Sequence, residues 1–109
     1  MSPRSLEVIH KLIGGKWKIR ILWHIIHGEN RFSILKKVLG DISEKVLYTN
    51  LKELESNGII YKEIVKKENP AIIYYHIRKE HVDLVNAIEK LHKFTKKYNE
   101  KMNEELTKK

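Results

Sequence analysis

Ser43, Lys45, Tyr48, Thr49 and Lys52 lie within one short stretch of the chain. Between them run Val46, Leu47, Leu51 and Leu54 at the spacing of one helix face. The polar set, with Glu44, therefore falls on the opposite face. Ammonium and hydroxyl groups donate to phosphate oxygens, and lysine also to a guanine edge; tyrosine and threonine add apolar atoms that meet a thymine methyl. The chemistry of that face is DNA recognition, set against the plainer alternative of a solvated helix surface. Ser43 has a second role: it stands just before the periodic run, where a hydroxyl caps an orphaned backbone N–H. Gly58 follows the last periodic residue, the usual place for a left-handed stop.

Other cations fall near this stretch. Lys66 and Lys67 sit beside an Asn-Pro turn, suited to a minor groove or its flanking phosphates or simply to a charged loop. Arg31, Lys36 and Lys37 flank the segment before the helix and are candidates for backbone contact, as is Lys16 at the start of another helix. Enzyme chemistry finds less support. Gly15-Lys16 is no phosphate loop, because Trp17 follows where Ser or Thr is needed and no strand precedes. His24 and His27 have helical ligand spacing, yet no third ligand stands at a supporting local distance, so surface or half-buried histidines are expected rather than a metal. Glu53 and Glu55 project to different faces, so they form no acid/base pair. Trp17 and Trp23 read as core. We therefore expect no catalytic residues, no metal and no cofactor.

The elements that must position the polar face follow in order. Leu6, Ile9, Leu12 and Ile13 predict a first helix, capped by Ser2 or Ser5 with Pro3 in its first turn and ended by Gly14-Gly15. Residues 16–27 predict a second helix, apolar over much of its circumference through Trp17, Ile21, Leu22, Ile25 and Ile26, hence central to the core. Arg31-Phe32 suggests a single-pair bridge. Ser33 caps a third helix through Leu39, and Gly40-Asp41 turns into the helix that begins at Ser43. Two short helices joined by a tight turn form a helix-turn-helix. Residues 59–65 and 71–77 are β-branched and aromatic and predict a hairpin, the wing of a winged helix. From His81 a long helix carries Val82, Val85, Ile88, Leu91, Thr95, Tyr98, Met102 and Leu106 along one stripe, with fraying expected at Thr107-Lys108-Lys109. That stripe exceeds what one small body covers, which predicts a partner helix and a dimer. The expected fold class is mainly α with a small β-hairpin, one winged-helix domain over residues 1–109.

Composition agrees with these expectations. The 109 residues suit one core. Hydrophobic content of 41% and charged content of 33% fit a globular chain. No apolar run reaches membrane length and no signal peptide is evident, so a cytoplasmic location and no membrane partner are expected. A formal net charge of +8 attracts polyanions, nucleic acid above all, although lysine and isoleucine enrichment also reflects genome or thermal bias. There is no cysteine, so neither disulfide nor thiol chemistry is open to the chain.

The run Leu12-Ile13-Gly14-Gly15-Lys16-Trp17, then Ile21-Leu22-Trp23, Arg31-Phe32, Ile42-Ser43-Glu44-Lys45-Val46-Leu47 and Leu51-Lys52-Glu53-Leu54-Glu55-x-x-Gly58-Ile59-Ile60 resembles the HxlR-type winged-helix transcriptional regulators, relatives of the MarR group. The matching blocks keep the family's order over about residues 3 to 92. The resemblance implies a homodimeric regulator of bacterial or archaeal type that binds double-stranded DNA. It places the recognition helix on residues 43–56 and the wing on residues 66–71. It also implies N- and C-terminal dimerisation helices, here Leu6, Ile9 and Ile13 with Val85, Ile88, Leu91, Thr95 and Tyr98. Many members carry a Cys-Pro near the start; this chain has Ser2-Pro3 instead, which excludes thiol sensing and leaves any small-molecule effector unidentified. A site for one is expected between the wing-bearing body and the dimer helices, with Trp23 and Tyr74 gathered there. The expected function is a sequence-specific regulator, in the first instance a repressor, on a pseudo-palindromic operator. The alternative is a winged-helix module that binds protein rather than DNA.

Overall fold

The computed structural model describes residues 4–67 and 69–107. Five helices and one hairpin follow in the order α1 (Arg4–Ile13), α2 (Lys18–Ile26), α3 (Phe32–Val38), α4 (Glu44–Ser56), β1 (Ile60–Lys66), β2 (Ile72–Ile77) and α5 (Val82–Thr107), with a 3-10 turn at Lys79–His81 leading into α5. This is the expected mainly α chain with a small β-hairpin. No described helix is long and apolar enough to cross a membrane.

The core forms where one face of each element converges. Ile21, Leu22 and Ile25 of α2 meet Leu35 and Leu39 around α3, Leu47, Leu51 and Leu54 of α4, Ile59 and Ile60 at the base of β1, Tyr75 of β2 and Ile88 of α5. On α4 the buried residues recur every three to four, and on β2 the partly buried Ile73 and Ile77 flank Tyr75 at a spacing of two. β1 and β2 pair antiparallel, from Ile60 opposite Ile77 at the base to Lys66 opposite Ile72 at the tip, with an irregularity between Ile64 and Lys66. Arg31 bridges to Tyr74, the single pair its sequence suggested. Asn30 fixes that junction: its side-chain amide donates to the Tyr75 carbonyl at 2.8 Å, and the Tyr75 N–H donates to the Asn30 backbone carbonyl at 2.8 Å. The turn after α2 is thereby stitched to the wing.

Helix starts depart from expectation in three places. Ser5 is inside α1 and caps nothing, while Ser2 and Pro3 lie outside the described residues. α2 begins at Lys18, because Gly15 takes φ +91° and Trp17 is the flanking residue. α3 begins at Phe32, one residue before Ser33, since Arg31 takes the extended conformation of the bridge and leaves Ser33 within the first turn. At the far end the helix persists through Thr107, where fraying was expected; Lys108 and Lys109 lie outside the described residues.

Two residues assigned to a dimer surface belong to the protomer instead. Ile13 is buried by its own chain, and Ile88 is only 2% exposed. Both positions turn inward because α1 ends against the core and α5 crosses α2 at Ile88. Leu6, Ile9, Leu91, Thr95 and Tyr98 stay exposed, and Val85 is half-buried. Beyond Leu91, α5 leaves the body. Its 26 residues make a rod about 39 Å long. The radius of gyration is 16.3 Å, against about 13 Å for a compact chain of this length. Phe94, Tyr98, Met102 and Leu106 are exposed along that rod.

The two stripe positions should separate in unfolding experiments. Ile88→Ala removes a buried side chain and is expected to cost about 2–5 kcal/mol of stability in denaturant titration. Leu91→Ala, at 48% exposure on the protomer, should cost under about 1 kcal/mol when unfolding is followed at concentrations where the chain is monomeric. Equal losses at the two positions would mean that the boundary between core and free stripe is misplaced.

Candidate nucleic-acid interface

α4 is closed at both ends. Ser43 takes extended φ/ψ, and its hydroxyl accepts the Val46 N–H at 3.1 Å, which is the predicted N-cap. At the other end Gly58 takes φ +72°, its N–H donating to the Glu55 carbonyl at 3.0 Å and that of Ile59 to the Leu54 carbonyl at 2.9 Å. This pair of bonds is a Schellman closure, and the accompanying hydrophobic contact is between Ile59 and Leu54, both buried. The chain leaves directly into β1, so helix and wing share one junction.

With Leu47, Leu51 and Leu54 buried, helical geometry decides what faces out. Lys45, Tyr48, Thr49 and Lys52 fall within about 100° of arc on the other side, and all are exposed, as is Ser43. Val46 does not join the buried face as expected. It sits roughly 100° of arc from Leu47 and is 39% exposed on the flank. The Thr49 hydroxyl donates to the Lys45 carbonyl at 2.9 Å. Its proton is thus committed to the helix, leaving its methyl and a lone pair for a ligand. Lys52 lies 3.8 Å from Glu55, a solvent-screened pair of small worth that does not hold the ammonium in place. Beneath the helix, Tyr75 keeps its phenol proton past the usual range. Burial raises its pKa first, then the nearby Glu55 and Tyr48, so it adds no charge under the face near neutral pH.

The remaining candidates are spread over other elements. Lys66 ends β1 and Lys67 follows it, both exposed; seven residues of strand carry them about 20 Å from the end of α4. Lys37 is exposed on α3, but Lys36 is half-buried. Arg31 is also half-buried, its guanidinium 5.9 Å from the centre of the Tyr74 ring, so it braces the wing at least as much as it faces outward. Among the described residues, no three metal-type side chains gather. His24 pairs with Glu29 and His27 with Glu89, each at 2.9 Å. Trp23 is half-buried beside His92, whereas Tyr74 stands over at the wing, so the two aromatics expected to share a ligand site do not meet.

One pair escaped the sequence reading. Lys18 is 8% exposed, and its ammonium bonds to Glu53 of α4 at 2.5 Å. A lysine three and four residues before Ile21 and Leu22 stands on the apolar face, and that position is the signal that a buried acid partner was due. The pair ties α4 to α2 by charge where the leucines tie it by packing.

Comparison with known proteins places this geometry. The model of the family described as HxlR-like helix-turn-helix matches residues 12–103. The chain is 40% identical over 70 residues to the uncharacterized HTH-type transcriptional regulator YtcD of Bacillus subtilis (strain 168), covering 64% of this chain and 56% of that one. It is 34% identical over 94 residues to the putative regulatory protein MalR of Fusobacterium mortiferum, covering 83% of this chain and 85% of that one. The chain thus spans little more than half the length of several curated relatives it matches. A crystal structure of a putative HTH-type transcriptional regulator ytcD superposes with a TM-score of 0.78 at 32% identity, over 90% of this chain and 97% of that one. The redox regulator HypR in its oxidized form gives 0.77 at 26% identity, over 85% and 95%.

The Lys18–Glu53 pair should respond unequally to its two deletions. Glu53→Gln strands a buried ammonium and is expected to cost about 1–3 kcal/mol in denaturant unfolding. Lys18→Met leaves only a half-exposed carboxylate, which water can solvate, and should cost less; in the double variant most of the Glu53→Gln loss should return. A larger loss for Lys18→Met would contradict this account.

Proposed function

The chain belongs to the HxlR-like helix-turn-helix family, and from that premise we propose that it is a sequence-specific, DNA-binding transcriptional regulator. In this proposal it works as one winged-helix domain, in the cytoplasm, and represses from a pseudo-palindromic operator as a homodimer. The observation that carries the proposal is the exposed arc of Lys45, Tyr48, Thr49 and Lys52 on a helix whose other face is fully buried. A helix of this kind, capped at its N-terminus and second in a helix-turn-helix, enters the major groove with its first turns. Lys45 and Lys52 hold phosphate or a guanine edge; Tyr48 and the Thr49 methyl supply apolar contact to bases. Lys66 and Lys67 at the wing meet flanking phosphates, with Lys37 and, less freely, Lys36 and Arg31 behind them. Ser43 acts first as the cap.

Homodimerisation is supported by the apolar side chains left exposed on the first and last helices: Leu6 and Ile9 on α1, and Leu91, Phe94, Tyr98, Met102 and Leu106 on α5. Val85 and Thr95 lie on the same stripe of α5. Burying them against a second copy satisfies both rods at once and sets two α4 helices for successive major grooves about 34 Å apart. The net charge of +8 supplies the sequence-independent part of the attraction. With no cysteine in the chain, any switching of this protein uses something other than a thiol.

Selection from a random DNA pool is expected to enrich an inverted repeat, and affinity for it should fall steeply with salt. Lys67→Ala should weaken all sequences alike and lower the salt slope by about one. Thr49→Ala should instead change which bases are preferred. A flat salt response with no enriched repeat would sink the proposal in favour of a protein-binding module.

Tyr98→Asp combined with Met102→Asp should give a monomer by light scattering with unchanged circular dichroism. Operator affinity should drop at least tenfold with it. A fully dimeric double variant would move the interface elsewhere.

A further inference from the structure

Val46 stands in the first turn of α4 and is 39% exposed, while Leu47 beside it is fully buried. A helix that enters the major groove does so with its N-terminal residues, so an exposed valine at this position lies among the side chains that meet base edges. Its backbone is held from both sides. The N–H donates to the Ser43 hydroxyl at 3.1 Å, and the carbonyl accepts the Asn50 side-chain amide at 2.8 Å. Its side chain is stiff as well, since a β-branched valine in a helix strongly prefers one χ1 rotamer.

The polar groups beside it are committed to the helix. Thr49 follows Val46 by three residues, which makes the two neighbours on the helix surface, about 60° of arc apart. The Thr49 proton goes to the Lys45 carbonyl at 2.9 Å, leaving the methyl and a lone pair. An asparagine amide suits an adenine edge, yet that of Asn50 is turned back onto the Val46 carbonyl. This flank of α4 thus presents two aliphatic groups, Val46 and the Thr49 methyl, and its donors are spent on the helix backbone. The major groove carries one feature that aliphatic groups recognise, the C5-methyl of thymine. The other three bases present polar groups without a methyl, and aliphatic contact strips water from such groups without replacing its bonds.

We propose that Val46 is a base-reading residue that selects thymine by its C5-methyl group, with the Thr49 methyl reading a second thymine nearby in the same half-site. The inference rests on α4 being the recognition helix. It goes further in assigning a base to a side chain that the apolar pattern of the sequence assigns to the core. Lys45, on the other side of Thr49, keeps the phosphate or guanine contact.

The test uses the enriched inverted repeat, resynthesised with deoxyuridine replacing thymidine one position at a time. That change removes only the C5-methyl and leaves base pairing intact; binding of the full chain is read by fluorescence anisotropy. At one position uracil is expected to weaken the parent protein by about threefold or more, the worth of one buried methyl group. Val46→Ala should lose that difference and keep the one read by Thr49. Thr49→Ser, which keeps the hydroxyl and removes the methyl, should do the reverse. Both variants should melt within about two degrees of the parent, because each changes a surface position. A repeat without thymine, uracil tolerated at every position, or a thymine preference that survives unchanged in Val46→Ala would overturn the proposal and leave α4 as the recognition helix. A pool that enriches no repeat would remove the recognition helix itself, and the proposal with it.

Discussion

Burial of Leu47, Leu51 and Leu54 under α4 is the constraint on which the interface depends. Three leucines withdrawn from water stabilise the docked helix by on the order of 5 kcal/mol or more before entropy is counted. Turning the helix by one residue, about 100°, would expose them and carry Lys45, Tyr48, Thr49 and Lys52 off the surface they share. The orientation of the polar arc is therefore a consequence of apolar packing. Ser43 and Gly58 fix the length over which that holds, since one closes the first turn and the other ends the helix into β1. A helix free to slide or fray would present the same side chains with a spread of geometries, and base-edge contacts discriminate only when their geometry is held.

α2 is the element through which the other parts meet. Its Ile21, Leu22 and Ile25 are central to the core, and Lys18 at its start reaches α4. The turn after it passes through Asn30 and Arg31 into the wing strand β2. Its remaining flank, through Ile19, Arg20 and Trp23, forms one wall of a cleft with α5. Recognition helix, wing, terminal helix and cleft each contact α2 or its flanking turn. Interiors packed at crystal density pass small displacements on rather than absorb them, so a change on one side of α2 is felt by α4 through both the leucine contacts and the Lys18–Glu53 pair.

The sequence revealed most where periodicity and end signals coincide. Residues 43–58 carry a cap, an apolar face and a glycine stop that agree, and the structure has each of them. The Arg31 bridge and the hairpin were legible for similar local reasons. Starts set by tertiary pairing were not: Arg31 is drawn into the bridge with Tyr74, so α3 begins one residue before the serine that looked like its cap. Val46 is a matter of arc: Leu47, Leu51 and Leu54 define the buried centre of α4, and Val46 stands about 100° from Leu47 on its flank. Ile13 and Ile88 have the same spacing as their exposed neighbours, and only the crossing of α5 over α2 tells which member of a stripe is consumed within the protomer. Lys18 and Glu53 are 35 residues apart, and their pairing is a property of the fold. The cleft between α2 and α5 is likewise a property of the fold: Trp23 stacks on His92 of α5 and does not meet Tyr74 of β2.

The division of labour between α4 and α5 follows from electrostatics. A chain of net charge +8 repels its own copy. At physiological salt that repulsion reaches only about 8 Å before screening removes most of it, so where the charges stand matters more than how many there are. In the proposed complex Lys45 and Lys52 of α4 and Lys66 and Lys67 of the wing face a polyanion, while the exposed aromatic and aliphatic residues of α5, a helix that also carries five lysines, face another apolar surface. Each buried square ångström on α5 contributes roughly 25 cal/mol whatever the salt, while each phosphate contact weakens as salt rises. In the proposed dimer, self-association and DNA binding thus depend on different forces carried by different helices. Raising the salt loosens the DNA while the dimer persists.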